Sequence, residues 1–156
     1  MIRLACFLDI PEIINLGNRY VEEEVKTVAH HSAVWDANMS ACNLIEAYSR
    51  PDQFLHVATR DGEMVGFLWA ASHALAPWNP TLVASDYLFY VVPEWRGSLV
   101  GLSLIKAYKS WAKDLGCAEV RLSLASGINE DRVSKMYERL GFSSFGTVFN
   151  HKLRSE

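Results

Sequence analysis

Cysteine is scarce. Cys6, Cys42 and Cys117 are widely spaced, odd in number and free of any C-x-x-C grouping, so neither a disulfide framework nor a cysteine zinc site is expected. A reducing, cytoplasmic location fits that pattern. Long apolar runs are missing too: no stretch approaches the ~18 residues of a membrane span, and the first eight residues meet Asp9 and Pro11 before they could serve as a signal peptide. Positive charge is not in excess, since 15 Lys and Arg against 18 Asp and Glu leave a net charge of −3. The field that drives binding to phosphate backbones is therefore lacking, and neither nucleic acid nor membrane is an expected partner. Internal repeats and low-complexity tracts are also absent.

What is present suits a packed domain. Half of the 156 residues are hydrophobic and 21% are charged, a composition able to offset the entropy of ordering the chain. That length predicts one domain, residues 1–156.

Ile2 to Phe7 reads as a strand, after which Asp9, Pro11 and Glu12 stand at helix-start spacing. Ile13, Leu16, Gly17 and Tyr20 share one face of that helix, and Glu22-Glu23-Glu24 is expected to end it or open a loop. A second helix is predicted from Ser40 to Ser49. Phe54–Thr59 and Met64–Ser72 flank Asp61-Gly62, a hairpin signal because both turn residues take positive φ. Residues 73–84, with Pro77-Trp78-Asn79-Pro80, are expected to form an exposed loop. Asp86–Val92 is nearly continuously apolar, as in a strand buried on both faces, and Pro93 stops it. A helix follows from about Ser98 to Leu115, its apolar stripe Val100, Leu104, Tyr108 and Trp111, with Gly116 as its stop.

Val120, Leu122 and Leu124 alternate with polar residues as a strand, so strand, helix and strand imply a right-handed crossover and a parallel pair. Asn129, Glu130 and Asp131 open a last helix carrying Val133, Met136, Tyr137 and Leu140, and a final strand is predicted over Phe145–Leu153. The fold class is α/β with a mixed sheet.

Chemistry concentrates between Ser85 and Phe142. Val91-Val92-Pro93-Glu94-Trp95-Arg96-Gly97-Ser98-Leu99-Val100-Gly101 takes a strand through a short turn into a long helix. Backbone N–H groups at such a helix start lack intrahelical partners, and the helix dipole adds positive potential, so an anionic pyrophosphate could bind there. An ordinary strand-to-helix turn that uses Gly97 for its backbone freedom is the competing reading.

This segment resembles the acyl-CoA signature of the GNAT superfamily of N-acetyltransferases, a strand ending in a V-x-P-like turn followed by Arg/Gln-x-x-Gly-x-Gly/Ala. Arg96 and Gly101 match its ends, while Leu99 replaces its middle glycine. Tyr137-Glu138-Arg139-Leu140-Gly141-Phe142 resembles the family's Y-x-x-x-G-F motif. The resemblance implies a mostly antiparallel central sheet with a splayed parallel pair, flanked by helices, and acetyl transfer from acetyl-CoA to a primary amine by direct attack in a ternary complex. It implies CoA binding by Phe89, Tyr90, Val91, Arg96, Gly97, Ser98, Leu99, Val100, Gly101, Leu102 and Asn129, with Val91 donating its N–H to the thioester oxygen and Tyr137 protonating the departing thiolate.

Asp86 at the start of the buried strand, His73 in the loop before it and Glu22 to Glu24 are candidates for the base, and the sequence does not single one out. His30-His31 and His56 do not have metal-ligand spacing, and no metal is expected. Trp35 and Trp78 could shape an acceptor pocket, although packing explains each as well. A catalytically weak CoA-binding or interaction module on the same fold is the alternative, and an unrelated nucleotide-binding domain is a third reading. The acceptor and the choice between monomer and homodimer are open at this level.

Overall fold

The computed structural model describes residues 1–26, 34–124, 130–149, 151 and 153. Strands β1 (Ile2–Leu4), β2 (Gln53–Arg60), β3 (Glu63–Ala76), β4 (Asn79–Val91) and β5 (Glu119–Arg121) form one sheet in chain order. The first four pair antiparallel, and β4 and β5 run parallel. Helices α1 (Ile10–Tyr20), α2 (Ala37–Ser49), α3 (Leu99–Asp114) and α4 (Glu130–Arg139) flank the sheet.

Local chemistry explains most of these elements. Asp61 and Gly62 take φ of 51° and 85°, the left-handed pair that the β2–β3 hairpin requires. Asp36 caps α2 by accepting the Met39 N–H at 2.8 Å, so that helix begins three residues before the predicted start. Asp9 behaves differently from its predicted capping place. Its carboxylate accepts the Cys6 N–H at 2.7 Å and a bidentate pair from Arg3 at 2.6 and 2.8 Å, which pulls its pKa down to about 2 against the opposing effect of burial. It therefore ties β1 to the turn that leads into α1.

Three expectations are corrected. The acidic run does not end the first helix, which continues as a wider turn over Val21–Val25 with Val21 and Val25 buried. Residues 73–84 are strand rather than loop, because β3 and β4 extend into a long hairpin with Pro77-Trp78 at its tip. Both prolines are tolerated there: Pro77 lies in the turn, and Pro80 falls within a break in register between the Ala76–Asn79 and Ala74–Leu82 pairs. The predicted final strand is not formed by residues 143–149, which join no ladder among the described residues. Phe145, Val148, Phe149 and Leu153 are exposed, and the Phe145 ring rests under the Arg121 guanidinium.

The core joins both faces of the sheet. Phe54 packs its ring against Tyr108 and Trp111 of α3, while Leu55 and Val57 are fully buried on the other face. His56 stacks on Phe54 with ring centroids 4.0 Å apart, and its Nδ1 is buried without a partner. Burial drives its pKa down to about 4. Between pH 4 and 6.5 the unfolded chain thus binds more protons at this residue, and its contribution to stability is lost as pH falls through that window. Asp86, raised to about 6, acts in the opposite sense over its own range. His56→Phe is expected to reduce by about 1–2 kcal/mol the stability lost between pH 7.5 and 5, read from urea midpoints at both values. An unchanged loss would show that His56 is solvated.

Candidate active site

The parallel pair separates soon after it forms. Val83, Ala84 and Ser85 pair with Glu119, Val120 and Arg121, and there the ladder stops. At the next residue a side chain takes over from the backbone. The Asp86 carboxylate accepts the Ser123 N–H at 2.9 Å and its hydroxyl at 3.1 Å. Beyond this apex Leu88, Phe89 and Val91 stand on one arm of a fork and Ser123 and Leu124 on the other, lining a cavity of about 790 Å³. The sequence suggested a strand buried on both faces; the open fork is why Asp86, Leu88, Phe89 and Val91 are only half-buried.

Strand alternation orients the backbone in the fork. Val92 donates its N–H to Val65 of β3 at 3.0 Å, so the polar groups of Val91, one residue earlier, point away from β3. The Val91 carbonyl indeed accepts the Arg96 Nε–H at 2.8 Å from that other side. Phe89, two residues before Val91 in unbroken register, faces the same way. Two backbone N–H groups thus face the fork.

At the wide end β4 passes through Pro93–Trp95 into α3. Gly97 takes φ of 85°, turning the chain into the helix. The Ser98 hydroxyl accepts the Val100 N–H at 3.2 Å, which leaves the N–H groups of Leu99 and Gly101 at the open end. Leu99 is 68% exposed and does not line the cavity, so its side chain leaves the backbone accessible. Gly101 lies beside the fork: a methyl there would stand 3.4 Å from the Phe89 ring, an ordinary van der Waals contact. Free N–H groups and the positive end of α3 thus meet at the mouth of the fork, an arrangement that stabilises an anion.

The wall opposite is α4. The Phe142 N–H bonds the Tyr137 carbonyl, the Gly141 N–H bonds that of Glu138, both at 3.0 Å, and Gly141 has φ of 87°. These are the paired bonds of a Schellman cap, completed by the Phe142 ring 5.7 Å from that of Tyr137. The Y-x-x-x-G-F pattern is thus a device that ends the helix and holds the tyrosine. Tyr137 is 8% exposed, and its ring lines the cavity. Burial, and then the charge of Asp86, raise its pKa, so the phenol keeps its proton through neutral pH. Asp86 is itself raised to about 6 by burial, against its bonds to Ser123.

Of the residues expected to hold CoA, the structure brings Phe89, Val91, Arg96, Gly97, Ser98, Gly101 and Leu102 to the cavity. Tyr90 and Val100 do not reach it; both are buried in the core. Asn129 lies outside the described residues, as do His30 and His31. His73 bonds Ser85 Oγ at 2.8 Å away from the cavity, whereas Glu24 lines it. Trp78, 85% exposed at the hairpin tip, and Trp35, laid over Gly17, shape no part of it.

Sequence reasoning missed Tyr20, Trp95, Ser123 and Arg132, which also line the cavity. Their only local signal was a place on an element end, because contacts between distant segments bring them together. Among the described residues no group of three His, Cys, Asp or Glu side chains is placed to hold a metal, and no helix is long and apolar enough to cross a membrane.

Known proteins share this fold. An aminoglycoside N-acetyltransferase solved in complex with CoA superposes with a TM-score of 0.76 at 18% identity, covering 99% of this chain and 95% of that one. The glucosamine-6-phosphate N-acetyltransferase of Arabidopsis thaliana gives 0.73 at 17% identity, covering 99% and 98%. These likenesses concern the fold. In sequence, mycothiol acetyltransferase of Nocardiopsis dassonvillei is 35% identical over 107 residues, 66% of this chain and 31% of that protein. Aminoglycoside N(6')-acetyltransferase type 1 of Klebsiella aerogenes is 35% identical over 75 residues, 46% of this chain and 47% of that protein. The matches thus span about a third to a half of these curated relatives. The model of the acetyltransferase (GNAT) family matches residues 18–142, and the chain belongs to that family.

Proposed function

We propose that the chain transfers an acetyl group from acetyl-CoA to a primary amine by direct attack within one cavity. The observation that carries this reading is the fork itself: a helix-start cradle at its mouth, backbone N–H groups along one arm and a protonated tyrosine on the facing wall. Acetyl-CoA supplies the activated acyl group. The N–H groups of Leu99 and Gly101, with the positive end of α3, receive its phosphates.

The Val91 N–H, supported by that of Phe89, faces the place where charge develops on the thioester oxygen. A preorganised donor in a cavity that excludes water stabilises such charge more than a solvated one. Tyr137 holds a proton for the sulfur that leaves. Asp86, ionised above about pH 6, accepts the proton of the acceptor ammonium directly or through water. The acceptor enters from the side of Tyr20 and Glu24, whose carboxylate suits a cation. The names of the relatives, aminoglycoside acetyltransferases among them, support an amine acceptor.

Release of thiol from acetyl-CoA with a panel of primary amines tests the proposal. Turnover is expected to rise with pH through a group near 6 and then level off. Absence of CoA binding at millimolar concentration would overturn the reading. Binding without transfer to any amine would favour a CoA-binding module instead.

A further inference from the structure

Charge around the cavity is distributed unexpectedly. Arg96, the basic residue of the loop, does not project into the cradle: Nε donates to the Val91 carbonyl, Nη2 bonds the Glu24 carboxylate, and the guanidinium sits 5.4 Å over the Tyr90 ring. Its charge is committed toward β4 and the turn after α1. The loop also carries Leu99 where a glycine would allow the closest approach. A dianionic pyrophosphate therefore needs a cation from elsewhere.

That cation stands on α4. Nη2 of Arg132 lies so near Gly97 that a methyl added to the glycine would be 2.6 Å from it. Arg132, Lys135 and Arg139 fall at i, i+3 and i+7, one edge of the helix, and all three line the cavity. Among the described residues none of them has an ion-pair partner, although Asp131 lines the same wall. Among the described residues six other Lys and Arg side chains are paired: Arg3, Arg19, Lys26, Arg50, Arg96 and Arg121.

We infer that Arg132 is a second jaw of the phosphate site, gripping the pyrophosphate of CoA against the backbone N–H groups of α3, with Lys135 and Arg139 extending the positive edge. This rests on the cavity being the CoA site, and it assigns phosphate recognition to α4, a segment outside the loop motif. An arginine fork suits the task because its planar donors can bond two phosphate oxygens at once, which a lysine cannot.

The test is calorimetric binding of CoA, dephospho-CoA and pantetheine to the wild type, Arg132→Gln and Arg132→Lys, with thermal unfolding as a check on folding. Arg132→Gln should weaken CoA and dephospho-CoA alike by roughly 10- to 100-fold and leave pantetheine, which has no phosphate, unchanged. Arg132→Lys should recover part of that loss. Unchanged CoA affinity in Arg132→Gln would overturn the assignment, and so would a loss confined to CoA, since the contact would then be to the 3'-phosphate. An equal loss for all three ligands would mark damage to the fold and also reject it. If the wild type binds none of them, the reading of the cavity fails and this inference with it. Wild-type binding with an unaffected Arg132→Gln removes the inference alone.

Discussion

Tyr137→Phe is expected to lower turnover about 100-fold at every pH between 6 and 9, with CoA affinity and melting temperature almost unchanged. The substitution removes the hydroxyl and keeps the ring. The contact with Phe142 and the paired carbonyl bonds that end α4 involve no atom of that hydroxyl, so the wall of the cavity stays in place. The loss is uniform in pH because burial and the charge of Asp86 hold the phenol protonated throughout this range. Steady-state thiol release across the range, beside CoA calorimetry, checks it. Undiminished turnover would remove the proton donor from the scheme.

Gly66→Ala should have the largest effect on structure. A Cβ at this position in β3 would stand 2.7 Å from the Tyr90 carbonyl oxygen and 3.2 Å from the Cα of Val91. Both are backbone atoms of β4, so no side-chain rotation relieves the clash and the strands must part. A loss of about 2–3 kcal/mol in urea unfolding is expected, the upper range for overpacking a tight site. Displacing Val91 also shifts the N–H groups that face the fork, so acetyl transfer should fall by more than tenfold in the protein that remains folded. Gly62→Ala provides the comparison: nothing lies within 4 Å of its added methyl, and its cost, of about 1 kcal/mol, comes only from φ of 85°. Equal effects at the two positions would show that β3 and β4 are not closely apposed.

The parts legible in the sequence were those governed by neighbours in the chain. Asp61-Gly62, Ser98 before its helix, and Gly141-Phe142 after Tyr137 each act within a few residues, and each lies where it was expected. The errors arose where distant segments decide. Pro77 and Pro80 suggested a loop, yet pairing of β3 with β4 over their whole length outweighed them. Phe145 to Leu153 was expected to form a strand, but a strand needs a neighbour, and residues 143–149 have none among the described residues. At the site, the loop glycines were readable, whereas the bond from Asp86 to Ser123 and the approach of Arg132 to Gly97 join residues some 35 positions apart. No local pattern marks such pairs.

Arg96 gives the site a thermodynamic property. Its guanidinium joins the Val91 carbonyl, at the mouth of the fork, to Glu24, on the side from which the amine is proposed to enter. Arg96 is held out of the cradle by these bonds; on the proposed function an ammonium beside Glu24 competes with Arg96 for the same carboxylate, and a guanidinium released by that competition is free to turn toward an anion in the cradle. On the proposed function the affinities of the two substrates would therefore be linked through one side chain, and linkage is reciprocal: whatever factor the first ligand imposes on the second, the second imposes on the first. Any preferred order of binding is then a matter of rates, not of a one-way gate.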